Sequence, residues 1–256
     1  GFFCLLILLT ACQTTTATSC IPDYKTGVAA GSGCLVIETT GVASTDPILI
    51  VFIHGDGSRG GASDYMFKYA RTYGAENIIS IGLISRVTLF LTAITVWKQL
   101  PDNDIYRADV IDSVTAAVTS LKKHHKAKRV VLVGHSGGAA ISGIILGRSP
   151  GLVDTVILAA CPCDAPRWRE MRRGYNTWTR SLSPHDFSNK VSHGARVIAL
   201  TGEHDDNTRS VLAHDFVSNL TARGINTTYI EVPKASHNSI LRTDAFRSAV
   251  KSAISP

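Results

Sequence analysis

Gly134-His135-Ser136-Gly137-Gly138 sets one serine between two flanking glycines, after the β-branched run 129–133 and before the small-residue stretch 139–146. A G-x-S-x-G between a strand and a helix is a nucleophile elbow, and its chemistry is attack by the serine oxygen on an acyl carbon. The physical reason is steric: so sharp a turn strains the serine backbone, so Gly134 and Gly138 must lack bulk where strand and helix meet. The hydroxyl then stands clear of the backbone, and the N-terminus of the next helix faces any negative charge that develops beside it.

Three further pieces follow the order that this chemistry requires. Upstream, the apolar run 47–53 ends in His54-Gly55-Asp56-Gly57, a glycine-rich turn whose amides can face the serine. The Asp56 N–H, with Gly57 as a neighbour able to share the task, and the Gly137 N–H are the expected oxyanion donors. Downstream, the apolar run 195–200 leads into Thr201-Gly202-Glu203-His204-Asp205-Asp206, an acidic loop after a core strand. Asp205 is the expected acid that orients the base, with Asp206 and Glu203 in reserve; Asp206 or Thr208 also suits the cap of the next helix. Of nine histidines, His237 alone follows a last strand, 227–232, and precedes a closing helix from about 239 to 254. It is the expected general base. His135 reads as part of the elbow wall, His54 as a support of the oxyanion turn, and His124 and His125 as the wet end of a helix.

These residues need elements to carry them. Helices are expected at 64–73, 104–124, 136–148 and 208–223, and further strands near 35–39, 78–83 and 153–160. At 256 residues and 45% hydrophobic content the chain can bury one sizeable core, and the alternation of apolar runs with helical stretches argues for one α/β domain.

With serine, acid and histidine in that order, the chain resembles the α/β-hydrolase superfamily, in its esterase, lipase and serine-peptidase sector, over residues 35 to 254. The resemblance implies a mostly parallel central sheet with helices on both faces, catalysis at the carboxyl ends of the strands, and no metal or organic cofactor. It fixes no substrate. An ester is preferred because it needs less gripping apparatus than a peptide. A serine aminopeptidase or acyltransferase on the same triad, or a non-catalytic surface lipoprotein on a hydrolase scaffold, are the alternatives.

The chain opens on Gly1 rather than methionine, and the expectation is an exported protein whose leader starts further upstream. Apolar residues 2–9 are too few to span a bilayer, and Leu9-Thr10-Ala11-Cys12 resembles the lipobox of bacterial lipoproteins. That resemblance implies a signal segment at 1–11, lipidation of Cys12, a tether and N-terminal arm over 12–34, and a membrane-anchored place in the bacterial cell envelope. The hydrolase domain then takes 35–256, with a short cap at about 162–191. In an oxidising compartment Cys20 and Cys34 form a reasonable disulfide closing a loop of about 15 residues, worth roughly 3 kcal/mol. For Cys161-Pro162-Cys163 free or alternatively paired thiols are expected, with a strained bridge or half a metal site as alternatives. No second Cys/His cluster stands at zinc spacing.

The cap carries Arg172, Arg173 and Trp168, suited to an anionic or aromatic substrate if they are more than a solvated face. A net charge of +6 comes from 26 basic and 20 acidic residues scattered along the chain. No recognition module accompanies them, so no nucleic-acid partner is expected. The expected partners are a small acyl substrate and, through the anchor, a membrane; oligomeric state is not written here. Residues 84–98 depart from the family pattern in being apolar where a polar loop is usual. A hydrophobic lid, an inserted edge element, or a local frame error, since a shifted register can encode a turn and polar loop, are the open readings.

Overall fold

The computed structural model describes residues 20–56, 63–85 and 104–255. The expected signal segment at 1–11, Cys12, Gly57 and most of the apolar stretch 84–98 lie outside the described residues.

Eight strands form one sheet: β1 Gly27–Ala30, β2 Gly33–Thr40, β3 Ile48–Ile53, β4 Ile78–Leu83, β5 Arg129–His135, β6 Thr155–Ala159, β7 Arg196–Gly202 and β8 Asn226–Val232. Their order is β1-β2-β4-β3-β5-β6-β7-β8, parallel throughout except for the two pairings made by β2. This is the α/β-hydrolase fold. A parallel sheet needs crossovers, and here they put helices on both faces, which is why the central strands are apolar without interruption.

The pleat sorts each strand between two cores. Leu49, Val51 and Ile53 of β3, Val130 and Leu132 of β5, and Val156 and Leu158 of β6 enter the core beneath α2 (Ala108–His125), α3 (Gly137–Arg148) and α5 (Ser210–Ala222). Ile50, Phe52, Val131, Val133 and Ile157 enter the opposite core, beneath α1 (Phe67–Tyr73) and α6 (Asp244–Ile254). Full burial of each such aliphatic side chain contributes about 1.5–3 kcal/mol, so a slip of one residue in β3 or β5 would exchange both faces at great cost.

Several elements differ from the sequence expectation, two of them because a polar side chain is drawn elsewhere. The second helix starts at Ala108 rather than 104: Asp104 accepts the Arg180 N–H at 2.8 Å and the Ser181 hydroxyl, and the Tyr106 N–H donates to Ser181 Oγ at 3.0 Å. The closing helix is broken by Thr243, whose hydroxyl caps α6 by accepting the Phe246 N–H; only a 3-10 turn, Ser239–Arg242, precedes it. The arm expected to end at residue 34 already contributes β1, a strand of four residues too short and small to read in sequence.

Between β6 and β7 runs the cap, made of α4 (Ala165–Arg173) and the 3-10 segment Pro184–Lys190. Its root holds the one thiol pair that departs from expectation. Cys161 and Cys163 are bridged, with Cα atoms 5.1 Å apart, within the usual disulfide range. Cys20 and Cys34 are also bridged, at a Cα separation of 5.8 Å, closing the N-terminal arm onto β2. Replacing Cys34 with serine should lower the unfolding free energy by up to about 3 kcal/mol, read from the urea midpoint, and reductant should then have a smaller further effect than on the parent protein.

Candidate active site

Ser136 ends β5 and opens α3 with φ 54° and ψ −119°, a conformation an L-residue adopts only under constraint. Two glycines make it possible. A methyl on Gly134 would overlap the Gly138 carbonyl and the Ala139 nitrogen, and one on Gly138 would overlap the carbonyls of Ile53 and His54. Strand and helix therefore approach more closely than any other residue allows. The Ser136 N–H is held by the Ala159 carbonyl at 2.9 Å. The Ala139 and Ala140 amides donate to the Ser136 carbonyl at 2.9 and 3.1 Å, while the Gly137 and Gly138 amides before them have no carbonyl one turn earlier in the helix to bond, which leaves positive potential beside the serine.

Three loops at the carboxyl ends of β5, β7 and β8 bring the expected residues together. His237 Nε2 lies 3.0 Å from Ser136 Oγ, and Nδ1 lies 3.0 and 3.2 Å from the two Asp205 oxygens. Asp205 also accepts the amides of Asn207 and Thr208 at 2.9 and 2.8 Å and the Thr208 hydroxyl at 2.7 Å. Burial on its own would raise the Asp205 carboxyl, but hydrogen bonds from His237 and Thr208 outweigh it and hold the group below its ordinary value. An ionised Asp205 keeps the proton of His237 on Nδ1, which leaves Nε2 to take a proton from the serine.

The reserves fall elsewhere. Asp206 is exposed, and Glu203 accepts the Lys234 N–H at 2.8 Å, bracing the turn before His237. Thr208 caps no helix: α5 begins at Ser210 with Arg209 as its N-cap, and the Thr208 hydroxyl lies between Asp205 and His237 Nδ1, 3.2 Å from the latter.

A second set of bonds, unread in the sequence, ties the oxyanion turn to the histidine loop. The Gly55 N–H donates to the Tyr65 hydroxyl at 2.6 Å, Tyr65 lies 2.6 Å from His135 Nδ1, and His135 Nε2 lies 2.8 Å from the His237 carbonyl. A carbonyl only accepts, so His135 carries its proton on Nε2, and Tyr65 must donate to Nδ1. Burial, helped by the nearby charge of His237, pulls the His135 pKa down to about 4, and burial pushes the Tyr65 phenol well above its ordinary value. Both therefore keep the forms that the chain of bonds needs. His135 is more than a wall of the elbow. His54 is buried beneath the turn, its Nδ1 bonded to the Gly55 carbonyl at 2.6 Å while Nε2 accepts the Ser85 N–H at 3.2 Å.

Asp56, the expected oxyanion donor, lies beside the elbow in the loop after β3. Its carboxylate packs against Gly137 and accepts the Tyr106 hydroxyl at 2.5 Å. Ser136, His237 and Asp56 line a cavity of about 540 Å³ together with the cap residues Trp168, Arg172 and Arg173. Trp168 is fixed by its indole N–H, which donates to the Asn207 carbonyl at 3.0 Å, so the cap leans on the loop that carries Asp205. Among the described residues no His, Cys, Asp or Glu group could hold a metal, and no helix is long and apolar enough to cross a membrane.

Against known proteins, the family model described as the prolyl oligopeptidase family matches residues 95–253. No curated protein matches the sequence significantly. Among solved structures, the acylaminoacyl peptidase of Pyrococcus horikoshii superposes with a TM-score of 0.65 at 15% identity, over 90% of this chain and 42% of that one. The chain thus spans about two-fifths of that peptidase's length. A Pyrococcus furiosus esterase gives a TM-score of 0.62 at 12% identity, over 89% and 90% of the two chains. A Xanthomonas campestris protein described as a serine hydrolase without lid gives 0.59 at 16% identity, over 92% and 95%.

Two outcomes follow from the Tyr65–His135 chain. Tyr65→Phe leaves the Gly55 amide and His135 Nδ1 without their partner and should lower kcat more than it raises KM, by roughly 10- to 100-fold in steady-state assays. Because folding depresses the His135 pKa, the unfolded chain binds a proton at that residue more readily than the folded one. Stability should therefore be retained above about pH 6.5 and lost as pH falls toward 4, by on the order of 3 kcal/mol from this group. Denaturant titrations across that range should show the slope, and His135→Gln should flatten it.

Proposed function

The chain belongs to the prolyl oligopeptidase family of serine hydrolases, and from that premise we propose that it hydrolyses carboxylic esters through an acyl-enzyme. The observation that carries the proposal is the unbroken contact from Ser136 Oγ to His237 to Asp205, the first two of which line a cavity. In this reading His237 Nε2 takes the Ser136 proton as the serine oxygen bonds to the ester carbon, and the carbonyl electrons move onto oxygen. The amides of Gly137 and Asp56 hold that oxyanion, and Asp205 stabilises the imidazolium. The tetrahedral adduct collapses with loss of the alcohol, which leaves with the proton from His237. Water, deprotonated by the same imidazole, then frees the acid and restores the serine.

The charge of the cavity favours an ester over the free N-terminal ammonium that an aminopeptidase must accept. Lys68, Arg172, Arg173 and Arg242 line it, and Asp56 is the only carboxylate among its described lining residues. Such a rim repels a cationic substrate. As part of the same proposal, the run ending in Cys12 supports an exported, lipid-anchored protein.

A fluorophosphonate probe should label the protein at Ser136 and fail to label Ser136→Ala, read by mass spectrometry of the tryptic peptide. Asp205→Asn should lower kcat on 4-nitrophenyl esters on the order of 10⁴-fold, since the histidine loses the group that fixes its tautomer. Faster turnover of aminoacyl 4-nitroanilides than of matched esters would replace the ester reading with a peptidase, and transfer to alcohol or amine acceptors in preference to water would replace it with an acyltransferase.

A further inference from the structure

Among the described residues, Arg169 is the arginine that stacks on aromatic rings while its Nε is buried and unbonded. Arg71, Arg107, Arg148, Arg167 and Arg247 each pair with a carboxylate. Arg167, two residues earlier on the same helix, reaches Asp215 at 2.6 Å. Arg169 has no such partner among the described residues. Its guanidinium carbon lies 4.5 Å from the centroid of the Trp178 ring and 5.8 Å from that of Trp168. Its Nε is shut off from solvent and makes no hydrogen bond.

The platform under it is rigid. The two indoles meet edge to face at 5.4 Å, Trp178 packs against the buried Tyr106 at 5.4 Å, and Trp168 is fastened to Asn207. A cation stripped of water on one side and left without a counter-charge is unfavourable, and stacking on indole recovers only part of the loss. Arg169 also lines the cavity that holds Ser136 and His237. The exposed Lys68, Arg172, Arg173 and Arg242 at its mouth add positive potential, but solvated charges at a rim bind weakly and are screened by salt. The partly desolvated, preorganised guanidinium is the group able to discriminate.

We propose that Arg169, stacked on Trp178 within the catalytic cavity, is the anion-binding residue of a substrate subsite, and that the substrate is an ester bearing a carboxylate. This rests on the hydrolase reading above. The planar fork of a guanidinium matches the two oxygens of a carboxylate, and the cationic rim draws such a substrate in. Trp178 holds the fork in place, so little freedom is lost when the anion arrives.

The test compares charged esters with neutral isosteres. On the acyl side, 4-nitrophenyl hemiesters of succinic, glutaric and adipic acid are paired with esters in which an isopropyl group replaces the carboxylate. On the alcohol side, acetoxyacetate is paired with isobutyl acetate. The parent protein should prefer the anionic member of at least one series in kcat/KM, with a preference that weakens as salt rises. Arg169→Gln should lower the anionic-to-neutral ratio by roughly 10- to 100-fold, and Arg169→Lys should restore part of it. Which series responds locates the carboxylate on the acyl or the leaving-group side. A ratio near one in both series, or a ratio unchanged in Arg169→Gln, overturns the subsite while labelling of Ser136 by the fluorophosphonate leaves the hydrolase reading standing. Absence of that labelling fells the hydrolase reading itself and the subsite with it.

Discussion

The structure depends on one close approach, that of α3 to the end of β5. Without side chains at Gly134 and Gly138, the helix can settle against the carbonyls of Ile53 and His54, and Ser136 is forced into a φ of 54°. The strain is confined to a segment surrounded by core: α3 is buried from Gly137 to Gly147, and Val130, Val131, Leu132 and Val133 of β5 are buried as well. Packing on every side over-determines the turn and keeps an otherwise unfavourable backbone conformation in place. What the molecule gains is a hydroxyl and a helix terminus at one point in space, before any substrate arrives.

Around that point, polar groups are arranged in two chains of hydrogen bonds that meet at His237. One comes from Asp205 and Thr208 to the imidazole, and the other from Gly55 through Tyr65 and His135 to the backbone carbonyl of the same residue. The first sets the tautomer of the imidazole, and the second sets the position of its loop relative to the turn after β3. Buried polar groups are costly unless all are satisfied, so each chain also specifies which protons its members carry. The neutral state of His135 is thus a structural requirement of the site.

Much of this was legible in the sequence where the signal is local or tied to a strand end. Ser136 is announced by five adjacent residues, and Asp205 and His237 by their places after the last two parallel strands, because the fold requires loops there to face the serine. Tyr65, Thr208 and Asn207 carry no such mark. Each is an ordinary polar residue beside a helix, and only tertiary packing brings its hydroxyl or carbonyl to the site. The same recruitment explains the displaced helix starts, since Asp104 and Thr208, read as parts of helices, are spent on Ser181 and on the Asp205–His237 pair. The Cys161–Cys163 bridge was hidden for a different reason, because a two-residue separation says nothing of where the sulfurs point.

The bond from Trp168 to Asn207 has a further meaning for turnover. Asn207 also donates its amide to Asp205, so one residue carries both the support of the cap and the support of the acid. Swinging this part of the cap outward would tug on the carboxylate that holds the His237 imidazole. Access and reactivity are thereby geared to one another: this stretch cannot serve as a door that opens freely while the chemistry behind it stays ready.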